Sequence, residues 1–254
     1  MILRRVIEHV KAQNWTAVVL DFVIVVAGVF IGIQVSNWNA ARAERGREAA
    51  LVRTVRDDVQ KDIVELKSFE RTFGDIQAFG RQALVTLTEN ATCADECWPR
   101  IVAVFHASQW IDMKANRETF DEIASAGMPR DPVLKEALSQ YYARSEQSPK
   151  ILADFPHYRE LVRSIIPAAV QDHMWAECFR VVGRQQDLIA DCPAPISEAE
   201  VAVIIAELRA DKVTARALNY WLSTVSVVKT TMPEQIEEAE AVVAKLDAYL
   251  DSRP

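Results

Sequence analysis

The stretch Trp15–Trp38, WTAVVLDFVIVVAGVFIGIQVSNW, constrains this chain more than any other. Its twelve residues from Phe22 to Ile33 carry no charge and no side-chain hydrogen-bonding group. The twenty residues from Trp15 to Gln34 hold one charge, Asp21. A helix of that length covers ~30 Å, the thickness of a bilayer's hydrocarbon core. Trp15 and Trp38 bracket it as indole rings do at the two water–lipid boundaries. Asp21 is costly at mid-bilayer but tolerable near an end or against a partner. The segment therefore predicts a membrane-spanning helix. Two other origins compete with this one. A cleaved signal peptide wants a shorter apolar region and a small-residue site, which Ala41-Arg42-Ala43 fits only loosely. A buried helix of a soluble protein also suits an apolar run of this length.

Gly28 and Gly32 form a G-x-x-x-G pair, and Asp21 falls near the same helix face. Small residues let two membrane helices approach closely, and a polar group there can bond across the pair. Asp21, Gly28 and Gly32 are accordingly the candidates for homodimerisation through the membrane helix. The plainer alternative is that Val, Ile and Gly are simply common in spans.

The run QNWTAVVLDFVIVVAGVFIGIQVSNWN resembles the opening of an uncharacterised bacterial family of small proteins with one N-terminal span and a helical domain behind it. The resemblance covers residues 1–40 and extends more weakly over NRETFDEIASAGMPRDPVLKEALSQYYA, residues 116–143. It implies an architecture and supplies no catalytic residues. On that basis the expected site is a bacterial inner membrane.

Seven glycines among 254 residues, with Ala, Val, Glu and Arg abundant, favour helix over strand and loop. Beyond residue 39 lie 26 basic and 34 acidic groups. An acidic body is a poor nucleic-acid binder, because phosphate binding needs clustered positive charge. Orientation is contested within the sequence. Arg42, Arg45, Arg47, Arg53 and Arg56 outnumber the basic residues before the span, but long following domains translocate largely regardless of charge. The cysteines point outward. Cys93/Cys97 and Cys178/Cys192 are two local pairs in expected loops, and an oxidising compartment would close them as disulfides. Four cysteines allow three connectivities. Four reduced thiols and a four-sulfur zinc site are the alternatives, but the C-x-x-x-C and C-x13-C spacings depart from the usual zinc pairing. The expected topology has the N-terminus cytoplasmic and the body periplasmic.

Along the chain, residues 1–14 predict a basic amphipathic lead-in, and 15–38 the span. Residues 39–90 predict a long, stalk-like amphipathic helix, with Val52, Val55, Val59, Ile63, Leu66, Phe73 and Ile76 on one face. Gly74 and Gly80 are its weak points. Residues 91–254 predict a helical body packing back on that stalk. A helix ending at Gly127 and one starting at Asp131-Pro132 make a helical hairpin. Trp175 and Phe179 continue a helix toward Cys178, and residues 183–196 form a loop. Ser197 with Glu200 is a capping box. Residues 212–250 predict two helices, or one kinked at Pro233. The expected fold class is all-α, with a single N-terminal transmembrane helix followed by an elongated helical bundle.

No nucleophile elbow, zincin, Walker or dinucleotide fingerprint occurs, so no catalytic, cofactor or metal residue is assigned. His106, inside an apolar helix, is expected to be a satisfied core histidine. Tyr141, Tyr142, Tyr158, Tyr220 and Trp221 fall at helical spacing, which favours core over ligand site. The expected function is a non-enzymatic, membrane-anchored protein with an interaction or structural role in the cell envelope, meeting a protein partner not specified by the sequence. A ligand-binding or sensory module with a pocket between helices is the alternative.

Overall fold

The computed structural model describes residues 15–89, 93, 96–183 and 185–252; the expected basic lead-in lies outside them. The chain divides into two compact units, Met1–Leu51 and Val52–Pro254. In chain order the elements are α1 (Trp15–Thr88), α2 (Cys97–Ala107), α3 (Glu118–Ser125), α4 (Pro132–Ser145), α5 (Gln147–Ile151), α6 (His157–Ile165), α7 (Ala168–Glu177), β1 (Phe179–Val182), β2 (Gln185–Leu188), α8 (Glu198–Ala210) and α9 (Lys212–Asp251). The fold is mostly helical, as composition predicts.

In the first unit the chain is helical from Trp15 onward. Every described side chain from Val19 to Arg47 is exposed, including the large apolar ones. An 18-residue window here has mean hydropathy 1.6 and no buried residue. This is the one helical segment, among the described residues, long and apolar enough to cross a membrane. The Arg42 guanidinium lies 5.7 Å from the Trp38 ring centroid, a cation–π pair.

In the second unit, α1 and α9 run antiparallel. Their ties descend in step along both helices: Arg56 to Asp247 at 3.2 Å, Lys67 to Glu240 at 2.6 Å, and Gln77 to Lys229 and Ser226 at 3.0 and 2.8 Å. Along this stretch Val55, Val59, Phe73 and Ile76 are fully buried, which is the face the sequence spacing selects. The expected weak points do not break α1. At Gly80 the reason is packing: an added Cβ would collide with the Leu222 side chain, so the missing side chain lets α9 close on α1. Pro233 likewise sits inside a single helix α9.

Helix α2 is the centre of this unit, with Ile101 through Ala107 all buried. Around it pack α6 and α8, while α4 and α6 pack on α9. Local signals behave as their chemistry demands. Asp131 caps α4 by accepting from the Leu134 N–H at 2.9 Å, with Pro132 in the first turn. Ser197 and Glu200 form the reciprocal capping box of α8. Gly127, which separates α3 from α4, has φ +71°.

Two expectations need correction. Phe179 is not helical and residues 183–196 are not all loop: α7 stops at Glu177, β1 starts at Phe179, and β1 pairs with β2 as an antiparallel hairpin, with Val182 opposite Gln185. Gly183 at φ +65° supplies the turn, and Val181 and Val182 are β-branched residues suited to a strand. Tyr220 is not core; it is 78% exposed.

Both cysteine pairs lie at disulfide distance, Cys93 with Cys97 and Cys178 with Cys192, with Cα separations of 4.9 and 5.3 Å. The second pair spans the base of the hairpin. Trp98 donates its indole N–H to the Cys192 carbonyl at 2.8 Å, tying the second bridge to the helix that carries Cys97.

Candidate functional site

Helix α1 turns two carboxylates inward. Asp62 sits on the apolar face, three residues after Val59 and four before Leu66, and is 5% exposed; Asp58 is 4% exposed. Asp62 accepts from the Tyr141 hydroxyl at 2.9 Å and from the Asn116 N–H at 3.2 Å. Asp58 accepts from the Thr119 hydroxyl at 2.7 Å and from Lys61 at 3.1 Å. Tyr142 stacks on Phe120 with centroids 4.2 Å apart. Burial pushes the Asp62 carboxyl up to about 6, outweighing the two hydrogen bonds that favour its charged form, and the nearby Glu65 and Asp58 charges add to the rise. Burial, and next the Asp62 charge, pushes the Tyr141 hydroxyl far up, so it stays a donor.

Beside Asp62 lies a small cavity of ≈ 20 Å³, with Tyr141, Ser145, Gln235, Leu66 and Phe69 in its wall. That is room for about one water molecule. Gln235 is 6% exposed and makes no hydrogen bond to any described residue. The cavity shares Lys114, Ala115, Ser145 and Pro149 with an adjoining cleft of ≈ 380 Å³, whose further wall holds Arg117, Glu146 and Lys150. The break between α4 and α5, at Glu146, shapes this cleft. Its cations are tied internally: Lys114 to Asp112 at 2.7 Å, Arg117 to Asp121 at 2.9 Å and to Glu146, Lys150 to Glu146 at 3.5 Å.

On the other side of α5 is a groove of ≈ 480 Å³ formed with α9. Phe155, Tyr220, Val213 and Ile151 give it an exposed apolar lining, and His157 and Arg216 a polar one. Nearby, α6 carries two arginines with no carboxylate partner among the described residues. Arg163 lies 3.6 Å from the Phe105 ring centroid and 4.8 Å from that of Trp175, and its Nε donates to the Ser108 hydroxyl at 3.1 Å. Arg159 donates to the Ser108 carbonyl at 2.9 Å. Burial, and then the Arg159 charge, pushes Arg163 down to about 9, still protonated at neutral pH. The pair pins α6 to the end of α2.

His106 is fully buried, 3.0 Å from the Ile189 carbonyl and 4.8 Å, centroid to centroid, from Phe79. Burial pushes it down to about 4, so it is a neutral core histidine whose Nε2–H donates to that carbonyl. Tyr141, Tyr142, Tyr158 and Trp221 are core as well. Pairing of the four cysteines leaves no thiolate for the zinc alternative, and no cluster of three or more metal-ligating side chains occurs among the described residues. Gly28 and Gly32 sit on the exposed helix of the first unit with nothing within 4 Å of an added Cβ; the Asp21 side chain lies outside those described. The carboxylate cluster and Gln235 were missed by motif reasoning. Their signal was available: both interrupt otherwise apolar helical stripes.

No protein family, curated protein or solved structure matches this chain.

Proposed function

We propose that this chain is a single-pass protein of a bacterial inner membrane, with its N-terminus cytoplasmic and its body periplasmic, acting without catalysis by contact with other proteins of the envelope. The observation that carries the anchor is the helical stretch from Val19 to Trp38, whose described side chains are all exposed and nearly all apolar. Water penalises such a cylinder, at roughly 25 cal/mol per Å² of apolar surface, and lipid does not. Two cysteine pairs at disulfide distance support an oxidising compartment for the body. Gly28 and Gly32, bare of neighbours, support self-association of the membrane helix.

For the body, the groove holding Phe155 and Tyr220 is the patch offered to a partner, because exposed aromatics anchor interfaces. A photoreactive residue replacing Tyr220 in native membranes tests this. A discrete protein adduct, lost when Phe155→Ser is added, is expected; lipid adducts alone would count against it. The Asp62–Gln235 cavity favours a second reading, a small-ligand module in the same body.

A further inference from the structure

We propose that Arg159, Arg163 and Gln109 form a binding site for one small oxyanion of the phosphate, sulfate or carboxylate class, held where α6 meets the end of α2. The site shares no residue with the cavity at Asp62.

The first observation is charge without a counter-charge. The two guanidiniums sit one turn apart on α6, and neither side chain is fully exposed. Neither meets a carboxylate within ion-pair distance among the described residues. Glu160, the acid beside Arg159 in the chain, is turned to His157 at 3.1 Å. Other arginines of the body are balanced: Arg56 by Asp247, Arg117 by Asp121 and Arg144 by Glu234. Burial lowers the pKa of Arg159, and burial followed by the Arg159 charge lowers that of Arg163, with no carboxylate raising either. An anion between them would reverse that penalty.

The second observation is donors without acceptors. Arg163 gives its Nε–H to the Ser108 hydroxyl at 3.1 Å, but its Nη2 is buried and unpartnered. Gln109 is 2% exposed. Its side-chain carbonyl lies 3.4 Å from Arg159 Nη1, and its Nε2 is likewise buried and unpartnered. Arg159 Nη1 also donates to the Ser108 carbonyl at 2.9 Å, so both guanidiniums and the amide converge on Ser108 and Gln109. Buried donors left unmet cost stability. Water would supply lone pairs without charge; an oxyanion supplies both, and guanidinium forks match its oxygens. Arg163 is already fixed for this, lying 3.6 Å from the Phe105 ring centroid and 4.8 Å from that of Trp175, contacts that hold it without neutralising it.

The test is thermal unfolding of the detergent-purified full-length protein at pH 7.5 and constant ionic strength, with phosphate, sulfate or acetate replacing chloride. A parallel arm adds dihexanoyl phosphatidylglycerol. At least one ion should raise the melting temperature saturably, by about 3–6 °C at tenfold excess over its Kd. Saturation separates this from the general salting effect of sulfate. Arg163→Met, Arg159→Gln and Gln109→Leu should each weaken the apparent affinity about tenfold or more, and whichever of them melt cooperatively decide the matter. Arg216→Gln, an arginine on α9, should leave the response intact. A rise with the short-chain lipid alone, lost in the same variants, would place the same oxyanion on a headgroup and uphold the site. No saturable rise in any arm would overturn the proposal, the buried donors then being met by water. So would variants that lower the melting temperature equally in every salt and keep the oxyanion increment, because the arginines would then be structural only.

Discussion

Asp62 shows how a single residue trades stability for a polar surface. Its pKa in the folded chain is raised, so the folded state holds the proton more tightly than the unfolded one. The associated stability is fully present below the unfolded value near 4 and is lost as pH rises through about 6. Asp62→Asn should therefore stabilise the ligand-free protein at pH 7.5 by about 1–2 kcal/mol, discounting for solvent at the cavity, with no gain at pH 4. The Asn carbonyl keeps the bond from the Asn116 N–H, while its NH₂ donates to the Tyr141 oxygen in a reversed bond that takes the acceptor from the hydroxyl proton, a cost that offsets part of the gain. His106 titrates in the opposite sense, its contribution being lost as pH falls toward about 4. It is common to both proteins and cancels in the difference. Thermal melts across pH 4–8 read this directly; equal melting temperatures throughout would contradict the burial argument. Asp62 was legible in sequence as a carboxylate on an apolar stripe. Its partners Asn116 and Tyr141 were not, since they come from segments far from Asp62 in the chain and periodicity carries no long-range pairing.

At the scale of elements, glycine separates local propensity from packing. Both Gly74 and Gly80 lie inside α1, and propensity alone treats them alike, each costing ~1 kcal/mol against alanine. Their surroundings differ. A Cβ at Gly74 meets only the Lys229 amine at 3.9 Å, whereas one at Gly80 runs into Leu222. Gly74→Ala should stabilise by ~0.5–1 kcal/mol and Gly80→Ala destabilise by ~1–3 kcal/mol, measured by denaturant unfolding. Equal signs would mean that α1 and α9 do not approach at Gly80. Helix starts at Asp131 and Ser197 were legible because capping is local chemistry. The β1–β2 hairpin was not, because its short strands carry only two adjacent valines as a sign and its base is defined by Cys178 and Cys192, which sit outside it. Tyr220 was misplaced for a related reason: it neighbours Trp221 in a regular helix, yet the face it takes depends on which neighbours α9 acquires.

For the molecule as a whole, the two units present different surfaces. Met1–Leu51 contains an exposed apolar helix, and Val52–Pro254 contains a closed apolar core with ion pairs on its exterior. The proposed account joins these facts as one membrane anchor and one body in an oxidising compartment. The most direct test is the intact mass of the membrane-extracted protein, alkylated without reduction. The account predicts a full-length chain with no alkylated cysteine, both pairs being closed. A full-length chain with four alkylated cysteines would contradict the oxidising compartment, and a mass short by the first forty-odd residues would contradict the anchor.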